Sequence, residues 1–456
     1  MSPSKVKLLA HASILIEVDG KKILTDPWFF GTAFNDGWEL LPKPDLEAIK
    51  CDINDVDIIW ISHEHPDHLH FPTLKWIAGF LKKDVEIYLQ ENNSNKIFKA
   101  LKKLGYKSFI SMPHLNKIDI TPNVKLACYA HRHLDSSLAV FVKSNFWLLN
   151  INDTELNEHD TEIIRKKFGT PTVLYNQFSI AGSNGVEADL KLDSTSILDK
   201  MRQHHESLNA KITIPFASFV RFSRCDNIFI NNYSNTVFDA KNLFQESGLQ
   251  LVFQSIGGDY LEWQDTNEYP FNCTKIDEDG QKFFASEVID EKDTYNYTIV
   301  STEEVKKEIE QRTCDWKKVT NPLVWKLIKL DPVFFRIIDW GNEVWKVDFA
   351  KNTFTRASAT KKFDISIASQ PLWHAFKTPF GIQTLGVSGR YKFAERFDNV
   401  PKKWKKIRIL SSLYNAEIYL SISGLFSRQI VAWIWKRRHG LIYQILQQLR
   451  RFQGAQ

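Results

Sequence analysis

The sequence has few cysteines and no long apolar segment. Its five cysteines are far apart and form no C-x-x-C pair, which argues against a disulfide framework and against a thiolate zinc site. No run reaches eighteen apolar residues, so no segment is predicted to span a membrane. The first residues also lack the charged-then-apolar order of a signal peptide. We therefore expect a cytoplasmic protein, at most peripheral to a membrane.

The chain is too long for one compact core, and its charge is unevenly distributed. Residues 401–456 have eleven Lys and Arg against one acid, Glu417, which is a net charge of +10. The whole chain carries only +5, so residues 1–400 have a net charge of −5. We predict a catalytic domain at 1–265, a mixed α+β region of unknown role at 266–400 and a basic, aromatic, mainly helical tail. The tail would suit an acidic partner, although a solvated surface explains its charge equally well.

The first 260 residues alternate between strand patterns and helix patterns. Val6–Val18 is a strand-like run, and D-I-I-W-I at Asp57–Ile61 predicts a short buried strand. Phe71–Lys83 predicts a helix, because a proline lies near its first turn. In the C-terminal half, Gly386–Phe393 looks like another strand. The early alternation is typical of an α/β domain.

The segment S-H-E-H-P-D-H directly after the buried strand holds three histidines and one aspartate within six residues. Neutral imidazoles and carboxylates are natural ligands of zinc and iron. His63 and His65, two residues apart, can project toward one metal ion. Asp67 and His68 follow the bend at the proline and can reach a second ion. A histidine-rich surface loop arising by chance is a much weaker explanation of this pattern.

One loop cannot close a dinuclear site, so further ligands are expected at the ends of later strands. His131 and His133 follow the apolar run Val124–Tyr129, and only one of the two needs to be a ligand. Asp153 follows the next very apolar strand, where a carboxylate can bridge two metals. The alternative for this aspartate is a helix N-cap before the acidic segment that follows. In a hydrolase, Asp67 or Asp153 could hold the attacking water.

These motifs, H-x-H-x-D-H with a later His and a strand-terminal Asp, resemble the pattern of the metallo-β-lactamase superfamily. More narrowly, the sequence is similar to the metallo-β-lactamase-like portion of CMP-N-acetylneuraminate hydroxylases. The similarity includes I-L-I-E-V-D-G-K-K-I-L-T-D-P-W at Ile14–Trp28, I-S-H-E-H-P-D-H-L-H-F-P-T-L at Ile61–Leu74 and shorter stretches within residues 6–260. The resemblance implies an α/β fold, the αβ/βα sandwich, with an additional α+β C-terminal region.

The resemblance also implies roles for individual residues. It supports six metal ligands: His63, His65, Asp67, His68, His131 and Asp153. It prefers His131 over His133 as the later ligand. It places four further residues beside the site or in the substrate pocket: His11, Asp26, His133 and Asp135. Asp26 would orient a ligand by hydrogen bonding, whereas a hydrogen-bonded core histidine is an equally good explanation of His11.

Two departures from the hydroxylase pattern affect the functional prediction. Those hydroxylases have a Rieske domain that binds its iron–sulfur cluster through C-x-H and C-x-x-H pairs. This sequence has no C-x-H, and its one C-x-x-H, Cys128 to His131, lies inside the metal-binding region, so no iron–sulfur cluster is expected. Many hydrolases of the superfamily close the second metal with a late histidine, but Pro215–Phe219 (P-F-A-S-F) contains none. One coordination position of the second metal is therefore expected to be open or filled by another group. The nucleotide-sugar substrate of the hydroxylases cannot be assigned to this protein from the resemblance.

Three functions fit these observations. We favour a non-haem diiron oxygenase that hydroxylates a small molecule or lipid, with two iron ions preferred over zinc. Because the sequence has no redox or nucleotide cofactor motif, its electrons would come from an external ferredoxin or reductase. The alternative is a dinuclear-metal hydrolase of the lactonase or phosphodiesterase type. A protein that binds a membrane surface or nucleic acid through its basic tail comes third, and nucleic acid is the least expected partner.

Overall fold

A computed structural model describes most of the chain. The described residues are 4–81, 84–91, 94–131, 135–142, 146–258, 261–263, 298–358, 360–394, 400–415 and 417. The chain divides into two compact units, the first formed by 1–183 with 187–295 and the second by 184–186 with 296–456. None of the helices in the described part combines the length and the apolar composition that a bilayer crossing requires.

The first unit is built on two large sheets and a small one. The seven-stranded sheet contains, in spatial order, β16 (Leu261–Trp263), β1 (Ser4–Ala10), β2 (Ser13–Val18), β3 (Lys21–Thr25), β6 (Ile58–Ile61), β7 (Glu86–Gln90) and β8 (Ser108–Met112). The six-stranded sheet contains β14 (Ile212–Phe216), β13 (Val173–Gln177), β12 (Trp147–Asn152), β11 (Asp135–Val142), β10 (Val124–His131) and β9 (Lys117–Thr121). The small sheet contains β15 (Val220–Phe222), β5 (Trp38–Leu40) and β4 (Thr32–Ala33).

The helices of the first unit fill the connections between strands. They are α1 (Leu46–Ile53), α2 (Phe71–Ala78), α3 (Ser94–Lys102), α4 (Glu158–Phe168), α5 (Leu190–Leu208) and α6 (Val237–Glu246). β3, β6, β7 and β8 pair in parallel, so each step to the next strand needs a crossover, and α1, α2 and α3 lie in these crossovers. Helix α2 ends at Ala78, five residues earlier than predicted, because Gly79 caps it.

The main core of the first unit lies between the two large sheets. Ile14 and Trp60 from the first sheet pack in one buried cluster with Leu126 and Val140 from the second. On its other face, the second sheet packs against α4 and α5 through a separate cluster. Strand β6 is buried along its whole length. Its end, where the histidine segment starts, is therefore held firmly on both sides.

The second unit is a five-stranded sheet with helices. Its strands are, in spatial order, β19 (Thr353–Arg356), β18 (Glu343–Asp348), β17 (Val333–Ile337), β20 (Ile365–Ile367) and β21 (Tyr391–Phe393). Its helices are α7 (Thr302–Lys318), α8 (Pro322–Ile328), α9 (Ser369–Lys377), α10 (Gly381–Ser388) and α11 (Val400–Asn415). Its core includes Trp316, Phe335, Phe376 and Trp404. Trp404 belongs to α11, so the first part of the predicted tail packs in this core, while the predicted boundaries at 265 and 400 stay predictions.

The strand predicted at Gly386–Phe393 is wrong in its first half. Residues 386–388 complete α10, which buries Ile382 and Leu385, and Gly389 ends the helix in the left-handed conformation at φ 64°. The strand begins only at Tyr391. A short apolar run cannot by itself distinguish the end of a buried helix from a strand, and here the helix is the structure formed.

Candidate metal centre

The histidine segment begins one residue after β6 and turns back on itself. The backbone amides of His68 and Leu69 donate to the carbonyl of His65 at 3.0 and 2.7 Å, which closes a tight turn. As a result, the ring centroid of His63 lies 4.4 Å from that of His65 and 4.2 Å from that of His68. The ring of His63 therefore lies next to both of the other imidazoles of this loop.

One group of donor atoms forms around His63 and His65. Nε2 of His63 lies 2.7 Å from Nδ1 of His65 and 3.7 Å from Oδ1 of Asp135. Asp135 is the first residue of β11, so the second sheet supplies this carboxylate. On its other side, Nδ1 of His63 lies 2.9 Å from the hydroxyl of Ser62, which fixes the orientation of the ring. The role of Ser62 was not predicted from the sequence, although this residue directly precedes His63.

A second group forms around His68. Its Nε2 lies 3.2 Å from Oδ2 of Asp67 and 3.2 Å from Oδ2 of Asp153. Asp67 is fully enclosed, and its Oδ2 also lies 3.4 Å from Nε2 of His11. Asp153 follows β12 directly, and its Oδ2 lies 3.9 Å from Nε2 of His63. Asp153 thus lies between the two histidines.

These side chains make up three overlapping groups, each with two imidazoles and one carboxylate. Within a group, the donor atoms lie within 4.8 Å of one another: His63 with His65 and Asp135, His63 with His68 and Asp153, and His11 with Asp67 and His68. Among the described residues, Oδ1 of Asp67, Oδ1 of Asp153 and Nδ1 of His11 are buried without a hydrogen-bond partner. Buried polar atoms without partners are costly, so this donor set fits bound metal ions.

The electrostatics of the metal-free cluster lead to the same conclusion. Burial, together with the neighbouring His68 and His65, holds the pKa of His63 well below its ordinary value. Burial also disfavours a charge on His68, but Asp67, Asp153 and Asp26 outweigh it and hold its pKa well above the ordinary range. In the same way, burial would raise the pKa of Asp67, but His68 and His11 hold it well below its usual value. Asp67, Asp153 and Asp26 therefore form a buried negative site around His68 that favours a cation.

Asp26 contacts both ends of the histidine segment, Ser62 and His68. Its Oδ1 accepts a hydrogen bond from the backbone amide of Ser62 at 2.7 Å, and its Oδ2 lies 3.1 Å from Nδ1 of His68. The side-chain amide of Asn152, the last residue of β12, also donates to Oδ2 of Asp26. When Nδ1 of His68 donates to this carboxylate, the lone pair of Nε2 faces Asp67 and Asp153, where a metal would bind.

Changing Asp26 to Asn tests this positioning. The amide keeps the shape of the carboxylate, but an NH₂ group at the Oδ2 position cannot accept from His68 or Asn152. We expect metal affinity to fall about 10- to 100-fold while the fold is retained. Competition with a chromophoric chelator measures the affinity, and circular dichroism checks the fold. An unchanged affinity would contradict the positioning role.

The late strand lacks a histidine, but its end is hydrogen-bonded to the turn that contains His11. Ala217, just after β14, donates its backbone amide to the carbonyl of His11 at 2.9 Å. The imidazole of His11 is buried, and Trp28 and Trp38 pack against it with ring centroids at 5.7 and 6.3 Å. The sequence predicted an open or otherwise bound position at the second metal. In the structure, the turn between β1 and β2 brings the imidazole of His11 beside Asp67.

His131, predicted as the later ligand, is not part of any of the three groups of described residues. Its Nε2 lies 3.3 Å from Oδ2 of Asp160, whose Oδ1 accepts from the Tyr129 hydroxyl at 2.6 Å. Burial would raise the pKa of Asp160, but His131, the Asn157 amide and Tyr129 lower it to about 2. The ligand role of His131 therefore stays a prediction: Asp160 contacts its Nε2, and Asp135, the cross-strand partner of His131 in the β10–β11 register, lies near His63. His133 lies outside the described residues.

The helix-cap alternative for Asp153 does not hold. The N-cap of α4 is Asn157, which forms a reciprocal capping box with Asp160. Asp153 lies four residues earlier, and its side chain is 20% exposed beside His63 and His68. This carboxylate is therefore available to the metal cluster.

A matched pair of variants distinguishes Asp135 from His131. We expect Asp135→Asn to lose one of two bound metal ions, because it removes the charged oxygen beside His63. We expect His131→Gln to keep both ions and to lower the unfolding midpoint, because it disrupts the contact with Asp160. Metal analysis after gel filtration and thermal unfolding provide the two measurements. The opposite outcome, with metal lost only in His131→Gln, would restore the ligand role predicted for His131.

Comparison with known proteins agrees with this geometry. Residues 5–156, which include every donor of the three groups, match the family described as the beta-lactamase superfamily domain. Over these residues the chain is similar to that superfamily domain. The predicted α/β fold, a metallo-β-lactamase domain with an additional C-terminal region, is confirmed. Domains of this fold are generally metal-dependent enzymes.

One curated protein and two solved structures illustrate what parts of this chain are similar to. The cytidine monophosphate-N-acetylneuraminic acid hydroxylase of Danio rerio is 25% identical over 276 residues, which are 56% of this chain and 45% of that protein. The matched part thus spans about half the length of this relative. Igni18, a metallo hydrolase from Ignicoccus hospitalis, is 17% identical with a TM-score of 0.40, covering 58% of this chain and 99% of that one. CmlA, a diiron beta-hydroxylase from Streptomyces venezuelae, is 13% identical with a TM-score of 0.40, covering 57% and 54%.

Proposed function

We propose that the protein is a non-haem diiron oxygenase that hydroxylates a C–H bond of a small molecule or lipid. The observation that carries the proposal is the composition of the donor groups, each with two imidazoles and one carboxylate. Two histidines and one carboxylate with open positions are typical of non-haem Fe(II) oxygenases. The same three donors also hold zinc in some hydrolases, so the choice of an oxygenase needs a second observation. The name of the curated relative, a hydroxylase, supports the same choice.

The residues would divide between two ions. His63, His65 and Asp135 would hold one ion, and His11, Asp67 and His68 would hold the other. Asp153, close to both His63 and His68, is placed to bridge them. When bound, two iron ions supply the O₂ activation and part of the electron transfer that hydroxylation requires. Asp26 and Ser62 would keep the imidazoles aimed at these ions.

The side chains also indicate from which side a substrate approaches. His68 and Asp67 are enclosed, whereas the side chains of Asp135 and Asp153 are 28% and 20% exposed. A substrate would therefore reach the first ion past these two carboxylates.

The reaction needs a supply of electrons. Insertion of one oxygen atom of O₂ into a C–H bond, with the other leaving as water, takes up two electrons and two protons from a donor. The sequence has no redox or nucleotide cofactor motif, so we propose a separate ferredoxin or reductase as the donor. The identity of the substrate does not follow from the relative, because only part of that protein is matched.

Oxygen consumption tests the proposal. Iron-loaded protein, given a chemical reductant and catalase, is expected to consume O₂ in proportion to the amount of protein. His63→Ala should abolish this consumption, and His205→Ala, which changes a buried histidine bonded to Thr213 outside the centre, should not. If zinc-loaded protein hydrolyses lactones or phosphodiesters while the iron form consumes no O₂, the protein is a hydrolase and the proposal fails.

A further inference from the structure

Helix α8 in the second unit presents two leucines to solvent. The helix starts after Asn321, whose side chain accepts a hydrogen bond from the amide of Leu323 at 2.9 Å. Trp325 and Ile328 pack against the core of this unit, and none of the seven residues of α8 is fully buried. Leu323 and Leu327 are 69% and 77% exposed. Because they are four residues apart, they lie side by side on one face of the helix.

This leucine pair lies in a strongly basic part of the second unit. Residues 317–331 contain four lysines and a single acid, Asp331. Helix α11 contains five basic residues and no acid. The side chain of Lys406 on α11 donates to the carbonyl of Lys329, the residue that ends α8, at 2.9 Å. The basic helix therefore contacts the end of α8, two residues after Leu327.

We propose that α8 docks on an anionic lipid surface. Exposed leucines flanked by lysines are the composition of helices that lie in the membrane interface, with the apolar side chains below the headgroups and the ammonium groups among them. Lys326 and Lys329 would contact the lipid phosphates together with the neighbouring α11. Since a phosphatidylserine surface attracts each nearby lysine, the charges and the leucines act together. This inference does not depend on the reaction at the metal centre.

Charge and chemistry favour a membrane over other acidic partners. Single-stranded nucleic acid is usually bound by aromatic rings on which bases stack, but the large exposed apolar side chains of α8 are leucines, and Trp325 packs against the core. In a symmetric dimer through α8, the same patch would meet itself. Lysines of both copies would then face one another, which is unfavourable. An anionic bilayer satisfies the leucines and the lysines at once.

Vesicle flotation with the full chain tests this docking. The protein is mixed with vesicles of phosphatidylcholine alone or of phosphatidylcholine with phosphatidylserine. We expect binding only to the vesicles with phosphatidylserine and a decrease in binding as salt is raised. The double variant Leu323→Ser, Leu327→Ser should bind at least about tenfold more weakly, and Lys326→Gln with Lys329→Gln should lose a similar factor.

Leu192→Ser is the matched control, because Leu192 is 71% exposed on α5 of the first unit and lies next to Asp193. This variant should bind vesicles as the unchanged protein does. Thermal unfolding shows whether each variant is folded, and a folded α8 variant that still binds normally would overturn the proposal. Equal binding to phosphatidylcholine alone, an equal loss in Leu192→Ser, or binding to an RNA oligonucleotide without binding to vesicles would also overturn it.

Discussion

Replacing His63 by alanine is expected to remove more than about 99% of the affinity for metal at the centre. His63 belongs to two of the three donor groups, so its loss affects both ions. Its Nε2 lies within 4 Å of His65, Asp135 and Asp153, and its side chain is completely enclosed. No other described donor can move into its place without a change in the turn. Metal analysis of the purified variant and O₂ consumption should therefore decline together.

His205→Ala is the control for this experiment. His205 is also buried, but its Nδ1 lies 2.8 Å from the Thr213 hydroxyl, away from the donor groups. It should keep a full complement of metal, although its unfolding midpoint should fall because a buried hydrogen bond and side-chain packing are lost. A His63→Ala protein that retains two metal ions and its activity would show that the centre has been assigned to the wrong residues.

Changing His11 to Phe is expected to remove one ion and leave the other. Phenylalanine keeps an aromatic ring between Trp28 and Trp38 but has no ring nitrogen, so the packing of the pocket is largely retained. The remaining donors at the second ion are Asp67 and His68, and two donors are too few to hold it tightly. We expect about one metal ion per chain instead of two.

The same variant separates a ligand from a packing residue. If His11 only fills space, His11→Phe keeps both ions and changes the unfolding midpoint alone. If His11 is a ligand, the absorption or Mössbauer signature of a coupled pair of irons disappears and that of a single iron remains. A signal from two coupled irons in His11→Phe would refute the ligand role. The comparison with Asp135→Asn, predicted to affect the first ion, shows which ion has been lost.

Much of the centre could be predicted from the order of residues along the chain. His63, His65, Asp67 and His68 lie on one loop, and local spacing is enough to bring them together. Asp153 could be predicted because it ends an apolar strand, and parallel or neighbouring strands bring their ends to one edge of a sheet. These predictions needed only local patterns and the geometry of α/β sheets.

The remaining donors depend on contacts that the sequence pattern does not contain. The run Val6–Val18 looked like one strand, but it breaks at His11, and only this turn directs the imidazole toward Asp67. His131 is engaged by Asp160, a residue 29 positions later that the capping box of α4 holds in place. Asp135 gains its position from the register of β10 with β11. Tertiary contacts of this kind decide which histidines and aspartates lie at the centre. A single sequence does not reveal these contacts.

The metal content of protein purified without oxygen, combined with Mössbauer spectroscopy of ⁵⁷Fe-grown material, tests the proposed diiron centre directly. We predict two iron ions per chain that form a coupled pair in the oxidised protein, with the pair lost in His63→Ala. The opposite result is zinc bound tightly at both positions, which excess iron does not displace, in a protein that consumes no O₂. That result would contradict the assignment as a diiron oxygenase.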